Sequence, residues 1–178
     1  MVREGLRCAG RAATRPEARP CPRSPPSASA QPLGALPYAV RMTANVLIST
    51  DPSELDLDWL HASLSERAYW ALGRSRDTVE RYIAHSLCFA AFDGERQVGF
   101  ARVVTDQATF AWVCDVFVDD DRRGEGIGRA LLEAIVADSR LAGLKRMVLA
   151  TNSPAFYERF GFAPLDRPQR WMLRPGPG

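Results

Sequence analysis

Asp115-Val-Phe-Val118-Asp-Asp-Asp121-Arg-Arg-Gly124-Glu-Gly126-Ile-Gly128-Arg-Ala-Leu-Leu132 decides the reading of this chain. It begins as the end of a β-branched and aromatic strand, turns through charged residues and glycines, and leaves as an apolar helix. Where a strand feeds a glycine-rich helix start, the first N–H groups lack intrahelical partners and the helix end is positive, so an anion is favoured there. The glycines alternate at Gly124, Gly126 and Gly128, late in the chain. A dinucleotide-binding GxGxxG turn belongs in a βαβ unit near the start of a fold, and no Gly-Lys-Ser/Thr follows here as a phosphate loop requires. Two readings of Arg123-x-x-Gly126-x-Gly128 stand side by side. In one, small residues let a pyrophosphate lie against consecutive amides, with Arg122, Arg123 or Arg129 adding charge. In the other, the glycines only supply the positive φ of a tight turn.

Working outward, Phe110 to Val118 reads as a long strand and Gly126 to Asp138 as a helix with the stripe Leu131, Leu132, Ile135 and Val136. Upstream, Asn45 to Ser49 is a first strand, and a helix passes through Trp59, Leu60 and Leu64. The run Ala68-Tyr69-Trp70-Ala-Leu-Gly73-Arg74 interrupts the helical pattern, and a second helix covers Asp77 to His85. Leu87–Phe92 and Gln97–Thr105 are strands joined at Asp93-Gly94, a hairpin signal. Downstream, Arg146 to Thr151 is a strand. Ser153-Pro154 opens a short helix, as a capping hydroxyl followed by proline, and Gly161 closes it. Short strands near Phe162 and Trp171 complete the order β-α-α-β-β-β-α-β-α-β-β. This is an α+β domain with a mixed, mostly antiparallel sheet flanked by helices.

Composition bounds the function. The 178 residues suffice for one domain, with 46% hydrophobic and 25% charged residues. The net charge of +2 hides a division: residues 1–41 hold seven Arg against Glu4 and Glu17, and the remainder is net −3. The folded part therefore offers no electrostatic case for nucleic acid. Residues 1–41 also hold seven of the 13 prolines and show no hydrophobic period, so a disordered extension is expected, with Met42 as the natural start. Residues 42–173 are the expected domain and 174–178 a flexible tail. Cys8, Cys21, Cys88 and Cys114 match no zinc spacing, and with His61 and His85 as the only histidines no metal site is expected. Buried thiols suit a reducing, cytoplasmic setting, and no apolar run approaches the roughly 18 residues a bilayer span requires.

A second segment, Leu149-Ala-Thr-Asn152-Ser-Pro-Ala155-Phe-Tyr157-Glu-Arg-Phe-Gly161-Phe162, opens a helix directly after a strand. Tyr157 there reads either as a proton donor to a leaving group or as a core-edge tyrosine with a solvated hydroxyl. Asn152 reads as a helix cap or as a partner for a ligand amide.

Together the two segments resemble the GNAT superfamily of acetyl-CoA-dependent N-acetyltransferases over residues 44–172, specifically a small, uncharacterised single-domain branch. Arg123-x-x-Gly126-x-Gly128 resembles the family's pyrophosphate loop, and Ala155 to Phe162 its second CoA segment. The resemblance implies that Val116, Phe117 and Val118 pair with the pantetheine amides like an added strand. It implies that the N–H groups of Arg123, Gly124, Glu125, Gly126, Ile127 and Gly128 hold the pyrophosphate, and that Asn152 approaches the pantetheine arm. Tyr157 falls at the position that protonates the departing thiolate. Asp115 resembles the second acid of a pair seen in polyamine acetyltransferases, with Cys114 replacing the first. Two readings of Asp115 stand side by side: it binds or deprotonates the amine, with water as the other candidate base, or it is a satisfied structural carboxylate. The loop residues Tyr69, Trp70 and Arg74 are the expected acceptor site, the other reading being that Tyr69 and Trp70 plug the core. The implied activity is direct acetyl transfer from acetyl-CoA to a primary amine of a small molecule. A protein or peptide acceptor and a non-catalytic acyl-CoA sensor are the alternatives. No nucleic-acid or membrane partner is expected, and a homodimer is left open.

Overall fold

The computed structural model describes residues 40–42 and 46–176. β1 (Val40–Met42) and β2 (Val46–Ser49) pair antiparallel at the sheet edge, so Val40 and Arg41 belong to the sheet rather than to the expected extension. The rest of that extension and the tail's last two residues lie outside the described residues. After β2, Asp56 caps α1 (Leu57–Ala62) by accepting from the Trp59 amide at 2.9 Å. The helix then widens into a π turn over Ser63–Arg67 instead of continuing as α-helix. Ser75 caps α2 (Arg76–Ala84) through the Thr78 amide.

β3 (Leu87–Asp93), β4 (Arg96–Thr105) and β5 (Phe110–Val118) form an antiparallel meander, followed by α3 (Ile127–Ala137), β6 (Arg146–Val148) and α4 (Pro154–Glu158). The sheet runs β1-β2-β3-β4-β5-β6, antiparallel except for the parallel β5–β6 pair. The turn into β5 is organised by the Asp106 carboxylate, which accepts from the Thr109 hydroxyl and from the amides of Ala108, Thr109 and Phe110. Those bonds, the Thr109 hydroxyl foremost, hold the Asp106 carboxyl well below the usual carboxylate range.

Each face of the sheet carries its own core. Leu131 and Ile135 of α3 pack on one face with Phe89, Val98, Val103 and Val113. Leu60, Leu64, Val79 and Ile83 of the N-terminal helices pack on the other with Phe100 and Phe117. Strict alternation along β5 would put Ala111, Val113 and Phe117 on a single face. Instead Ala111 and Val113 join the α3 core while Phe117 joins the other. The reason is a bulge: Arg102 pairs with Cys114 and Phe100 with Phe117, so Asp115 and Val116 together oppose Ala101. Asp115 carries the extra turn with φ of +52°, an uncommon conformation for a residue with a side chain. One inserted residue thus exchanges the two faces of the strand.

Two expected strands are absent. Between α4 and Gly176 the described chain forms no strand, only a 3₁₀ turn at Pro168–Arg170. Pro164, Pro168 and Pro175 remove ladder donors from this segment. β6 also stops at Val148 rather than Thr151, because its last pair with β5, Trp112 to Val148, lies just before the bulge.

Gly99 lets α3 sit close on β4: a Cβ there would come within 3.1 Å of Ile127, 3.2 Å of Ala91 and 3.3 Å of Leu131. Gly99→Val is expected to destabilise the fold by about 1–3 kcal/mol through overpacking, read from the urea midpoint. Because the clash falls on Ile127 at the start of α3, the variant is also expected to weaken whatever binds at that helix end. An unchanged midpoint would show that α3 is not held by this contact.

Candidate active site

Past Trp112 the two parallel strands part, and a cavity of about 930 Å³ opens beside the unpaired edge of β5. It is lined by residues of β5, the glycine turn, α3, the segment after β6, α4, and the loop between α1 and α2. All but one of the residues singled out from sequence reach it. The exception is Glu125, which instead accepts from Arg122 Nε at 2.9 Å.

At one end lies the start of α3. Gly126 precedes it with φ of +86°, no side chain caps the helix, and its first turn carries no acid. Its leading amides therefore have no intrahelical partner and border the cavity. Arg122 braces the turn by donating to Asp93 at 2.6 Å and to Glu125, and Arg123 pairs with Asp120 at 2.7 Å. Uncapped amides, a positive helix end and nearby guanidiniums fit a pyrophosphate. The free edge of β5 over Val116–Val118 fits an extended chain bearing amides.

Midway stand Tyr157 and Asn152. Asn152 Nδ2 donates to the Tyr69 hydroxyl at 2.7 Å, tying the loop between the first two helices to the start of α4. The expected cap at Ser153 does not form; its amide is held by the Thr151 hydroxyl at 2.9 Å. Burial raises the Tyr157 phenol above its ordinary value, the neighbouring Tyr69 adds to this, and a hydrogen bond with Thr151 opposes it. Phe156 meets Tyr157 edge-on with centroids 4.9 Å apart and lies closest to the α carbon side of Gly128, linking the two segments.

The other end is built on Asp115. Its Oδ1 accepts from Trp70 Nε1 at 3.2 Å and Arg74 Nη1 at 3.0 Å, and its Oδ2 from Arg102 Nε at 2.9 Å. Arg102 also donates to Ser86 at 3.1 Å and lies over the Tyr82 ring at 4.1 Å. Burial, with the Asp115 charge second, pushes the Tyr82 phenol up to about 12. Asp115 is thus engaged on both carboxylate oxygens by three side chains from other segments. Two guanidiniums against this one carboxylate leave the cluster with a net positive charge. Burial likewise pushes the Cys114 thiol up to about 11, which leaves it protonated and unreactive near neutrality.

Sequence reasoning gave Arg102 no site role, although a signal existed: it interrupts the apolar run Val98-Gly-Phe-Ala-Arg-Val-Val104. Its partner on β5 could not be inferred without the bulge.

A model of the acetyltransferase (GNAT) domain matches residues 84–164. The crystal structure of a protein assigned to the GNAT family, from Xanthomonas campestris pv. campestris, is 45% identical to this chain. The alignment covers 77% of this chain and 97% of that one, with a TM-score of 0.74. This chain belongs to the GNAT family of acetyltransferases. The family's acetyl donor is acetyl-CoA. Serotonin N-acetyltransferase 2, chloroplastic, of Oryza sativa subsp. japonica is 34% identical over 97 residues, which are 51% of this chain and about half (48%) of that enzyme. N-acetylglutamate synthase from Neisseria gonorrhoeae, solved with coenzyme A and N-acetyl-glutamate, shares the fold at 22% identity and a TM-score of 0.56. That match covers 67% of this chain and 28% of the synthase. Among the described residues no helix is long and apolar enough to cross a membrane.

The turn of this GNAT domain can be tested at Gly128. A Cβ there would meet Phe156 at 3.4 Å and Val118 at 3.7 Å, ordinary contacts, so the fold tolerates alanine. Gly128→Ala is expected to keep or slightly raise the melting temperature, since alanine favours the helix by about 1 kcal/mol. It is also expected to raise the KM for acetyl-CoA about tenfold by blocking close approach to the amides. An unchanged KM would remove this helix start from the donor site.

Proposed function

We propose that the protein transfers acetyl directly from acetyl-CoA to a primary amine of a small molecule. One observation carries the reading: a single cavity joins an uncapped helix start, a half-buried phenol at Tyr157 and an aromatic end at Tyr69 and Trp70. The donor supplies an activated thioester. The amides from Arg123 to Gly128 and the edge at Val116–Val118 are assigned to holding it, with Asn152 beside its arm.

The neutral amine attacks the acetyl carbonyl carbon, a C–N bond forms and the C–S bond breaks. The sulfur leaves as a thiolate and takes its proton from the Tyr157 hydroxyl, and the amine's surplus proton passes to water. Tyr157 is suited to this because its raised pKa keeps it protonated across the physiological range. Asp115 is a positioning residue in this scheme: it aligns Trp70, Arg74 and Arg102 and does not touch the reacting atoms. With Cys114 protonated, direct transfer needs no covalent acyl-enzyme.

A small acceptor is favoured over a protein chain because the loop at Tyr69 and Trp70, fastened by Asn152 and Asp115, walls the acceptor end. A cytoplasmic setting rests on the free thiols of Cys88 and Cys114.

Tyr157→Phe tests the scheme. The variant is expected to bind acetyl-CoA with unchanged Kd and to lose about 10²-fold or more in kcat, measured as CoA release. In the native enzyme, activity requires the phenol to be protonated. A raised pKa therefore places the alkaline fall in kcat above pH 10, and that limb is expected to vanish in the variant. Unchanged kcat would remove Tyr157 from the mechanism. Acetyl-CoA binding without CoA release across a broad amine panel would favour a sensor.

A further inference from the structure

We infer that the acceptor is an amine that also carries a carboxylate, held at the acceptor end by Arg102 and Arg74. The inference rests on the transfer reading above and adds the substrate class.

The argument begins with charge. Arg74 and Arg102 both line the cavity, their side chains 22% and 14% exposed, and they share the single carboxylate of Asp115. Two guanidiniums against one carboxylate leave one unit of positive charge in this partly buried cluster. Among the described residues lining the cavity, Asp115 is the only acid. A polyamine or another purely cationic acceptor would meet a positive wall with no available counter-charge, at a cost that grows as water is excluded. An anion would meet the opposite.

Donor geometry points the same way. Arg102 donates through Nε to Asp115 and through Nη1 to Ser86, and among the described residues nothing accepts from Nη2. The Tyr82 ring beneath it and the Asp115 bond above fix the guanidinium plane. A guanidinium fixed in this way, with a second beside it, is suited to a planar carboxylate, whereas a lysine would offer only a point charge. The same charge serves the chemistry. An ammonium near two guanidiniums loses its proton more readily, and the attacking amine must be neutral. Trp70 and Tyr69 complete the recess with aromatic surface, which suits an acceptor whose remaining part is apolar or aromatic.

Matched pairs of amines decide the matter: phenylalanine against phenylalaninamide, and tryptophan against tryptamine. CoA release is measured with the native protein, and binding to its CoA complex by calorimetry. The carboxylated member of each pair is expected to show a kcat/KM at least about tenfold higher. In Arg102→Lys, which keeps the charge beside Asp115 but loses the fork, this preference is expected to shrink while the KM for acetyl-CoA stays unchanged. Equal or better use of the neutral members overturns the inference and leaves the transfer reading intact. Binding of the carboxylated members alone, without CoA release from any pair, supports carboxylate recognition and overturns transfer. Neither release nor binding with any pair overturns the inference.

Discussion

The bulge at Asp115 is the constraint on which the rest of the molecule depends. A left-handed backbone at a residue with a Cβ costs on the order of 1–2 kcal/mol. Glycine would avoid that cost, but it would leave Arg74 and Arg102 as partly buried cations without a partner, which is the larger penalty. Aspartate accepts the strained turn and supplies the carboxylate. The inserted residue then moves Phe117 to the core of the N-terminal helices and turns Val116 and Val118 toward α3. It also ends the pairing of β5 with β6, so the cavity, the free strand edge and the approach to α3 share one cause. Packing, strain and site are therefore coupled at a single position.

Much of this was legible in the sequence because the signals were local. The glycine turn, the apolar stripe on α3, the hairpin at Gly94 and the span of β5 depend on neighbours within a few residues, and each stands where its residues indicate, except that Val136 of the stripe faces solvent. What failed was non-local. Two closing strands at Phe162 and Trp171 seemed plausible from aromatic content, but a strand needs a partner, and β6 is too short and the segment too proline-rich to supply one. The bulge leaves no mark in the alternation Phe110-Ala-Trp-Val-Cys-Asp-Val-Phe-Val118, since apolar residues stand on both sides of it. Asp115 was visible as the lone acid of a strand, yet its role depended on Arg102, thirteen residues away on β4, and on Arg74, forty-one residues away in a loop. A lone acid on a strand leaves a base and a structural carboxylate both open, and the donors that engage it sit on other elements.

The two ends of the cavity use arginine in opposite ways. Around α3, the acids that hold Arg122, Arg123 and Arg129 lie outside the cavity lining: Asp93 and Glu125, Asp120, and Glu133. Those pairs fix side chains while leaving the helix amides open, so the attraction for an anion comes from the backbone and the helix end more than from free cations. At the acceptor end the acid sits between the cations and belongs to the lining itself. There the backbone offers nothing comparable, and selectivity falls to the guanidinium donors that Asp115 and Ser86 leave uncommitted. One end of the cavity is thus a main-chain cradle that tolerates side-chain change around it, and the other a side-chain cluster in which a single substitution alters both shape and charge. Because one strand carries both ends, with Asp115 at its bulge and Val118 at the entrance to the glycine turn, the arginine cluster can diverge through the first loop and β4 without disturbing the helix start.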